Sequence, residues 1–483
     1  MFKKTFYYLI TLLTYLSFNQ LAFAADELNY PRGLQDIIIQ GENSWLLENV
    51  RVIDGTGAPA KDAHDILITS GKIAGIGPTG TLSVPVGTPK VAGDGKSVMP
   101  GLIMVHEHLF YNDHGAAMPN YVGEAVTFSG LYLSHGVTTM RTGGTMNITD
   151  DLTIKNRINE GSYPGPEVFL TAPYIDGPGS FASQLRVFDS EEKVRTMVRY
   201  WGSEGVKWLK AYMFVKPNIL AAAIDEAHSL DMQVTGHLCT VTFGEAIDSG
   251  IDNLEHGFSH ATELAEGKEF GKCPNGQARG AGLKIASENP ELTQPLYDKV
   301  IKNNVYITST LGVMAAGLRD YEPSPLALEL MNSHARDNAD NLQKVFAENE
   351  EARMGREASL QVYMKLEKDF HDAGGQLVLG TDPTGWGGTI PGPGNLSNLY
   401  LLKEAGVSPM DIITIATQNG SKMLKVDDRT GILKAGMEAD MIIIDGNPDQ
   451  DIHDIGNISM VITDGYGIDG LALANKYIKR VGR

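Results

Sequence analysis

Between Pro100 and Asp382 the chain repeats one pattern: a short apolar run, then a helical stretch, then another apolar run. The runs are PGLIMVHEH, VTTMRTGG, PEVFLTAPY, VKWLKAYM, MQVTGHL, IDNLEHGF, VYITSTL and QLVLGTD. Their composition and length suit strands. Segments such as SEEKVRTMVRYWGSEG and PNILAAAIDEAHSLD lie between them and read as helices. Strand–helix alternation on this scale calls for parallel strands with crossover helices. Eight such strands favour an α/β chain closed into a (β/α)8 TIM barrel over an open sheet.

Both flanks read differently. Residues 44–98 (SWLLENVRVID, AHDILITSGKIAGIG, GTPKVAGDGKSVM) and 429–483 (RTGILKAGMEADMIIIDG, ISMVITDG) alternate apolar and polar residues between Gly, Asp and Pro. Residues 25–97 and 429–483 are therefore expected to build one small β-sandwich accessory domain, leaving 98–428 to the barrel. Two connections, 258–300 and 319–365, exceed ordinary loop lengths. The second is helical and highly charged, and reads either as a rim or lid over the barrel mouth or as a solvated helical hairpin.

The N-terminus has the layout of a secretory signal peptide. Lys3 and Lys4 precede an apolar run from Phe6 to Phe18, and Ala22-Phe23-Ala24 is a small-x-small cleavage pattern. Residues 1–24 are expected to be removed, giving an exported, periplasmic or secreted chain without stable membrane insertion. The formal net charge of −19 repels nucleic acid and anionic lipid, so a small-molecule substrate is the expected partner, and a homo-oligomer is compatible with this surface. Of the two cysteines, Cys239 and Cys273, an oxidising compartment permits one disulfide, although two buried thiols are the preferred reading.

The chemistry sits at the ends of the runs. His106 and His108 are two apart in VHEHL, so a strand points both imidazoles to one side, as a divalent ion requires. Lys210 ends VKWLK, His237 ends MQVTGH, His256 ends IDNLEH and Asp382 ends QLVLGTD. Taken singly, each is more simply a core histidine, a solvated lysine or a turn aspartate. In a parallel barrel, however, strands 1, 4, 5, 6 and 8 would deliver all of them to the C-terminal rim, where active sites are built.

This set resembles the amidohydrolase superfamily, above all its imidazolonepropionase-like and prolidase-like branch. The resemblance spans nearly the whole chain after the leader. It includes VMPGLIMVHEHL, LSHGVTTMRTGG, LLKEAGVSPMDIITIAT and TGILKAGMEADMIIIDGNP. It implies that His106, His108 and Asp382 hold one metal and that His237 and His256 hold a second. Lys210, carrying a CO2-derived carbamate, would bridge the two. Lys207 is the rival for that role, but Trp208-Leu209-Lys210-Ala211-Tyr212 fits the family pattern better. Two positions depart from many relatives: Met104, where an acidic residue is common, and Thr142 after Arg141. Imidazole and carboxylate ligands suit zinc first, with manganese, cobalt and iron as alternatives.

The reading is then a hydrolase that cleaves an amide bond, in a dipeptide or N-acyl amino acid, through a metal-bridging hydroxide, with Asp382 as the proton carrier. Hydrolysis of a cyclic amide, lactone or phosphotriester is the alternative on the same site, and a metal-containing binding protein is the non-catalytic one. The bridging lysine argues against the deaminase branch. Tyr212, on the same strand side as Lys210, His260, four residues beyond His256, and Trp386, in the TDPTGWGG loop, are candidate substrate contacts. Their plainer readings are a rim packing residue, a surface histidine and a loop anchor.

Overall fold

The computed structural model describes residues 28–113, 120–180, 182–318, 321 and 323–483. The leader assigned to residues 1–24 lies outside them. Eight parallel strands form one sheet. In chain order they are β1 (Leu102–Glu107), β2 (Val137–Thr142), β3 (Glu167–Phe169), β4 (Trp208–Ala211), β5 (Gln233–Gly236), β6 (Asn253–Glu255), β7 (Tyr306–Ser309) and β8 (Leu377–Leu379). β8 returns to β1 through the Leu379–Met104 pair. Between β3 and β4 the circle closes through parallel bridges, Thr171 to Trp208 and Ile175 to Ala211. Ala172 N–H donates to Trp208 O and Ile175 N–H to Lys210 O, each at 2.9 Å. The result is the expected (β/α)8 barrel.

Strands from both chain ends form a separate, mostly antiparallel nine-stranded sheet. Met441–Asp445 is its hinge, pairing with Ile458–Thr463 on one side and Lys96–Pro100 on the other. The run Met-Ile-Ile-Ile is apolar throughout because both faces are covered. Met441 and Ile443 join a core with Trp45, Leu47, Ile66 and Ile68. Ile442 and Ile444 point the other way, into the barrel's core. Lys96–Pro100 runs almost directly into β1, so this sheet fixes where the first barrel strand begins.

Helices follow local signals. Pro217 opens the helix Pro217–Ser229 at a position that lacks no needed N–H. Thr242 and Glu245 form a reciprocal cap on Phe243–Asp248, immediately after the loop that follows β5. Among the described residues no helix is long and apolar enough to cross a membrane.

Candidate metal centre and active site

The strands that carry the six chemical residues all end at one rim. His106 lies within β1, and His108 follows two residues later; Lys210 is within β4. His237 and His256 are the first residues past β5 and β6, and Asp382 lies three past β8. All six line one cavity of about 430 Å3. His108 Nε2 is 2.9 Å from Asp382 Oδ1, and His106 Nε2 is 3.8 Å from the same oxygen. Ligand atoms of His106, His108 and Asp382 lie within 4.8 Å of one another, a candidate metal-binding cluster. The His256 ring is 4.6 Å from His106 and 4.4 Å from His237, centroid to centroid. The alternative lysine, Lys207, is 55% exposed and points to Asp231 on the surface.

Backbone geometry aims these groups. Normal strand alternation would turn Glu255 and His256 to opposite faces. His256 instead has φ of 65°, a left-handed conformation uncommon for a residue other than glycine, and both side chains face the interior. Asp382 also has a positive φ, 57°. Two glycines make room for His106. A Cβ on Gly143, in the Arg-Thr-Gly-Gly run, or on Gly380, in Leu-Gly-Thr-Asp, would overlap the His106 side chain.

The site is buried, and its electrostatics follow from that. Burial pushes His106 down to about 4, so its ring is neutral and able to offer a lone pair at neutral pH. Burial likewise lowers the Lys210 ammonium to about 8, against the attraction of Glu255. Burial alone would raise Asp382; the hydrogen bond from His108 and the nearby His106 and Lys210 reverse this and hold it well below the usual carboxylate range. Lys210 Nζ and His256 Nε2 are buried without a hydrogen-bond partner. Orphaned nitrogens of this kind, beside a carboxylate and three further imidazoles, fit a site for divalent cations.

Residues 97–466 match the model of the amidohydrolase family. The chain belongs to that family. Solved structures of similar fold include a Xaa-Pro dipeptidase with bound methionine (20% identical, 88% of this chain and 99% of that one, TM-score 0.65). The bottromycin amidohydrolase is another (19%, 91% and 90%, TM-score 0.70), and the ochratoxinase of A. niger a third (18%, 88% and 95%, TM-score 0.62). Uncharacterized proteins of Mycobacterium tuberculosis and Mycobacterium bovis are 25% identical over 218 residues, 42% of this chain. The chain spans about half the length, 54%, of these curated relatives.

In this amidohydrolase the rest of the cavity wall is largely aromatic, completed by Asn112, Met146, Val313 and Thr384. Tyr212 and Trp386 both line it, together with Phe110, Tyr121 and Tyr174. Tyr212 packs edge-on against Tyr174, centroids 5.2 Å apart, and against His237 at 4.7 Å. His260 is no surface residue. It is 7% exposed, its ring centroid 4.1 Å from that of His237 at an interplanar angle of 58°, and its Nδ1 is 2.8 Å from Ser259 Oγ. Sequence reasoning missed Tyr174, although it ends the third apolar run. It also missed Phe110 and Tyr121, on the two arms of a hairpin (Phe110–Asp113 and Asn120–Gly123) that follows the His106–His108 pair.

The insertion after β7 reaches this mouth. Its helix Ser333–Glu348 bonds the hairpin through His334 Nε2 to Asp113 Oδ1 at 2.8 Å and Asn338 Nδ2 to Tyr111 OH at 3.0 Å. Leu342 of the same helix lies against the turn at Gly387. The insertion is therefore rim structure, in contact with both walls of the cavity. Cys239 and Cys273 are bonded to each other, contrary to the reading of two thiols. The segment after Ala265 folds back toward the loop that follows His237, where Lys268 Nζ also donates to Thr240 O at 2.9 Å. That return path is what brings the two sulfurs together.

Proposed function

We propose that this amidohydrolase is an exported, metal-dependent hydrolase that cleaves an amide bond in a dipeptide or N-acyl amino acid. The observation that carries this reading is the convergence of His106, His108, Lys210, His237, His256 and Asp382 on one cavity, with Lys210 Nζ and His256 Nε2 making no hydrogen bond to the protein and Lys210 paired only with the Glu255 carboxylate at 3.3 Å. His106, His108 and Asp382 would hold one divalent ion, zinc first, and His237 and His256 a second. Lys210 would bridge them as a carbamate. Its amine, neutral in part near pH 8, adds CO2 and releases a proton, which turns a buried cation into a two-oxygen anion. When bound, the ions supply Lewis-acid polarisation of the scissile carbonyl and a lowered pKa for attacking water.

The protein's own groups do the rest. The ionised Asp382 carboxylate, 22% exposed to the cavity, takes the proton of the attacking water and passes it to the leaving nitrogen. Phe110, Tyr121, Tyr174, Tyr212 and Trp386 exclude water and orient the substrate. Among the described lining residues no charged side chain other than Lys210 and Asp382 occurs, which supports an apolar or aromatic substituent next to the scissile bond. Three folds of the same kind are named for a dipeptidase, an amidohydrolase and an ochratoxinase, which supports an amide over an ester. The Cys239–Cys273 disulfide supports an oxidising compartment.

The test is a panel of Xaa-Pro, Xaa-aromatic and N-acyl amino acids, with a lactone and a phosphotriester beside them, assayed with and without chelator. Chelator-sensitive hydrolysis of an amide member is the expected result. Turnover confined to the lactone or phosphotriester would contradict the amide assignment, and turnover indifferent to chelator would contradict the metal.

A further inference from the structure

Beneath the rim, a single carboxylate touches both a ligand proposed for the first metal, His106, and the proposed bridge, Lys210. Glu255 ends β6 with its side chain fully buried inside the barrel. Its Oε2 is 2.7 Å from His106 Nδ1. Its Oε1 accepts from Arg141 Nη2 at 2.8 Å and from Thr235 Oγ1 at 2.5 Å, and lies 3.3 Å from Lys210 Nζ. Arg141 is also fully buried, its guanidinium 4.7 Å above the Trp208 ring. Asn253 Oδ1 lies 2.7 Å from the same Thr235 hydroxyl, whose one proton goes to Glu255, and Asn253 Nδ2 donates to Thr308 Oγ1 at 2.9 Å. A hydrogen-bonded polar layer thus fills the barrel where aliphatic side chains usually stack.

We infer that Glu255, fixed by Arg141 and Thr235, is the positioning residue that sets His106 and Lys210 in register for metal. The inference rests on the metal-centre reading above. A carboxylate can only accept, so Glu255 requires the proton on His106 Nδ1 and leaves the Nε2 lone pair facing the cavity. Arg141 has a distinct task. Once Lys210 carries CO2 it is no longer a cation, and Arg141, which cannot lose its proton, remains as the counter-charge of Glu255. A Gln at 255 keeps the shape but presents an N–H either to His106 Nδ1 or to Arg141, so it cannot serve both.

The experiment measures Zn2+ affinity by competition with a chromophoric chelator in the wild type, in Glu255→Gln and in Glu255→Gln with Arg141→Met. Near-UV circular dichroism reports folding. The double variant removes both buried charges together and so guards against simple unfolding. Zinc binding weaker by about 10–100-fold in the folded variants is expected. A folded single or double variant that binds zinc as the wild type does would overturn the inference. Independently of any variant, 15N spectra of the metal-free wild type, with His106 assigned by His106→Asn, should give the Nδ1–H tautomer; an Nε2–H tautomer would overturn the inference on its own. A wild type that binds no zinc at all would instead overturn the metal-centre reading.

Discussion

Asp382 Oδ1 stands 2.9 Å from His108 Nε2, across the seam where β8 closes the barrel onto β1. The contact joins the two ends of the barrel at the point where the chemistry is proposed. Asp382 N–H and Thr381 N–H both donate to His106 O, at 2.9 and 3.2 Å, so the backbone of the last strand end is tied to the first histidine as well.

Asp382→Asn keeps these backbone bonds and the side-chain shape but removes the proton acceptor. Turnover should fall by about 10^2–10^4-fold, the usual span for a general acid–base group, with the thermal midpoint little changed. Steady-state kinetics and circular dichroism check both halves; a rate close to wild type would refute the role.

Gly143→Ala and Gly380→Ala each put a methyl group into the space of the His106 side chain. Displacement of His106 should weaken metal binding before it unfolds the barrel. Overpacking of this kind costs about 1–3 kcal/mol. Metal affinity measured on the folded variants is the readout, and undiminished affinity would show that His106 is not held by this fit.

Cys239 lies two residues beyond His237, and its disulfide to Cys273 closes a separation of 34 residues. Replacing both by Ser should lower stability by about 3–4 kcal/mol on chain entropy and loosen the loop after β5. Denaturant unfolding in oxidised and reduced protein measures the first effect. No difference between the two would contradict it.

Two of the buried acids away from the proposed ligands make stability fall as pH rises. Burial pushes Asp151 up to about 7, against the hydrogen bond it accepts from Thr145, and Glu367 up to about 8, against its hydrogen bond with Ser309. Both folded values lie above the unfolded ones. Their contribution is therefore complete below about pH 4 and is lost as pH rises through 7 and 8, with an upper bound of about 4–5 kcal/mol each. The thermal midpoint should fall between pH 6 and pH 9, and Glu367→Gln should flatten that fall. A wild-type midpoint that climbs over this range would contradict the assignment.

Strand ends and the residues that gather at the rim were legible because a parallel barrel turns sequence period into spatial convergence: an apolar run followed by His, Lys or Asp reached the rim at β1, β4, β5, β6 and β8. The sheet from both chain ends was legible from alternation, as in the two-sided run at Met441–Ile444. Glu255 and Arg141 were not. Nothing in NLEH reveals that a left-handed turn at His256 puts neighbouring side chains on one face. Arg141 reads as an ordinary charge until the barrel surrounds it. The disulfide and the burial of His260 depend on the path of the 258–276 segment, which no local pattern encodes. Tyr174 could have been found, since it closes a run already assigned as strand.

Native mass spectrometry of the purified chain, supplied with Zn2+ and bicarbonate, addresses the central claim most directly. Two zinc ions and the mass of one added CO2 per chain are expected, with the CO2 lost in Lys210→Ala and metal lost in His106→Asn. A folded wild-type chain that carries no zinc, or that keeps its full complement in both variants, would contradict the account.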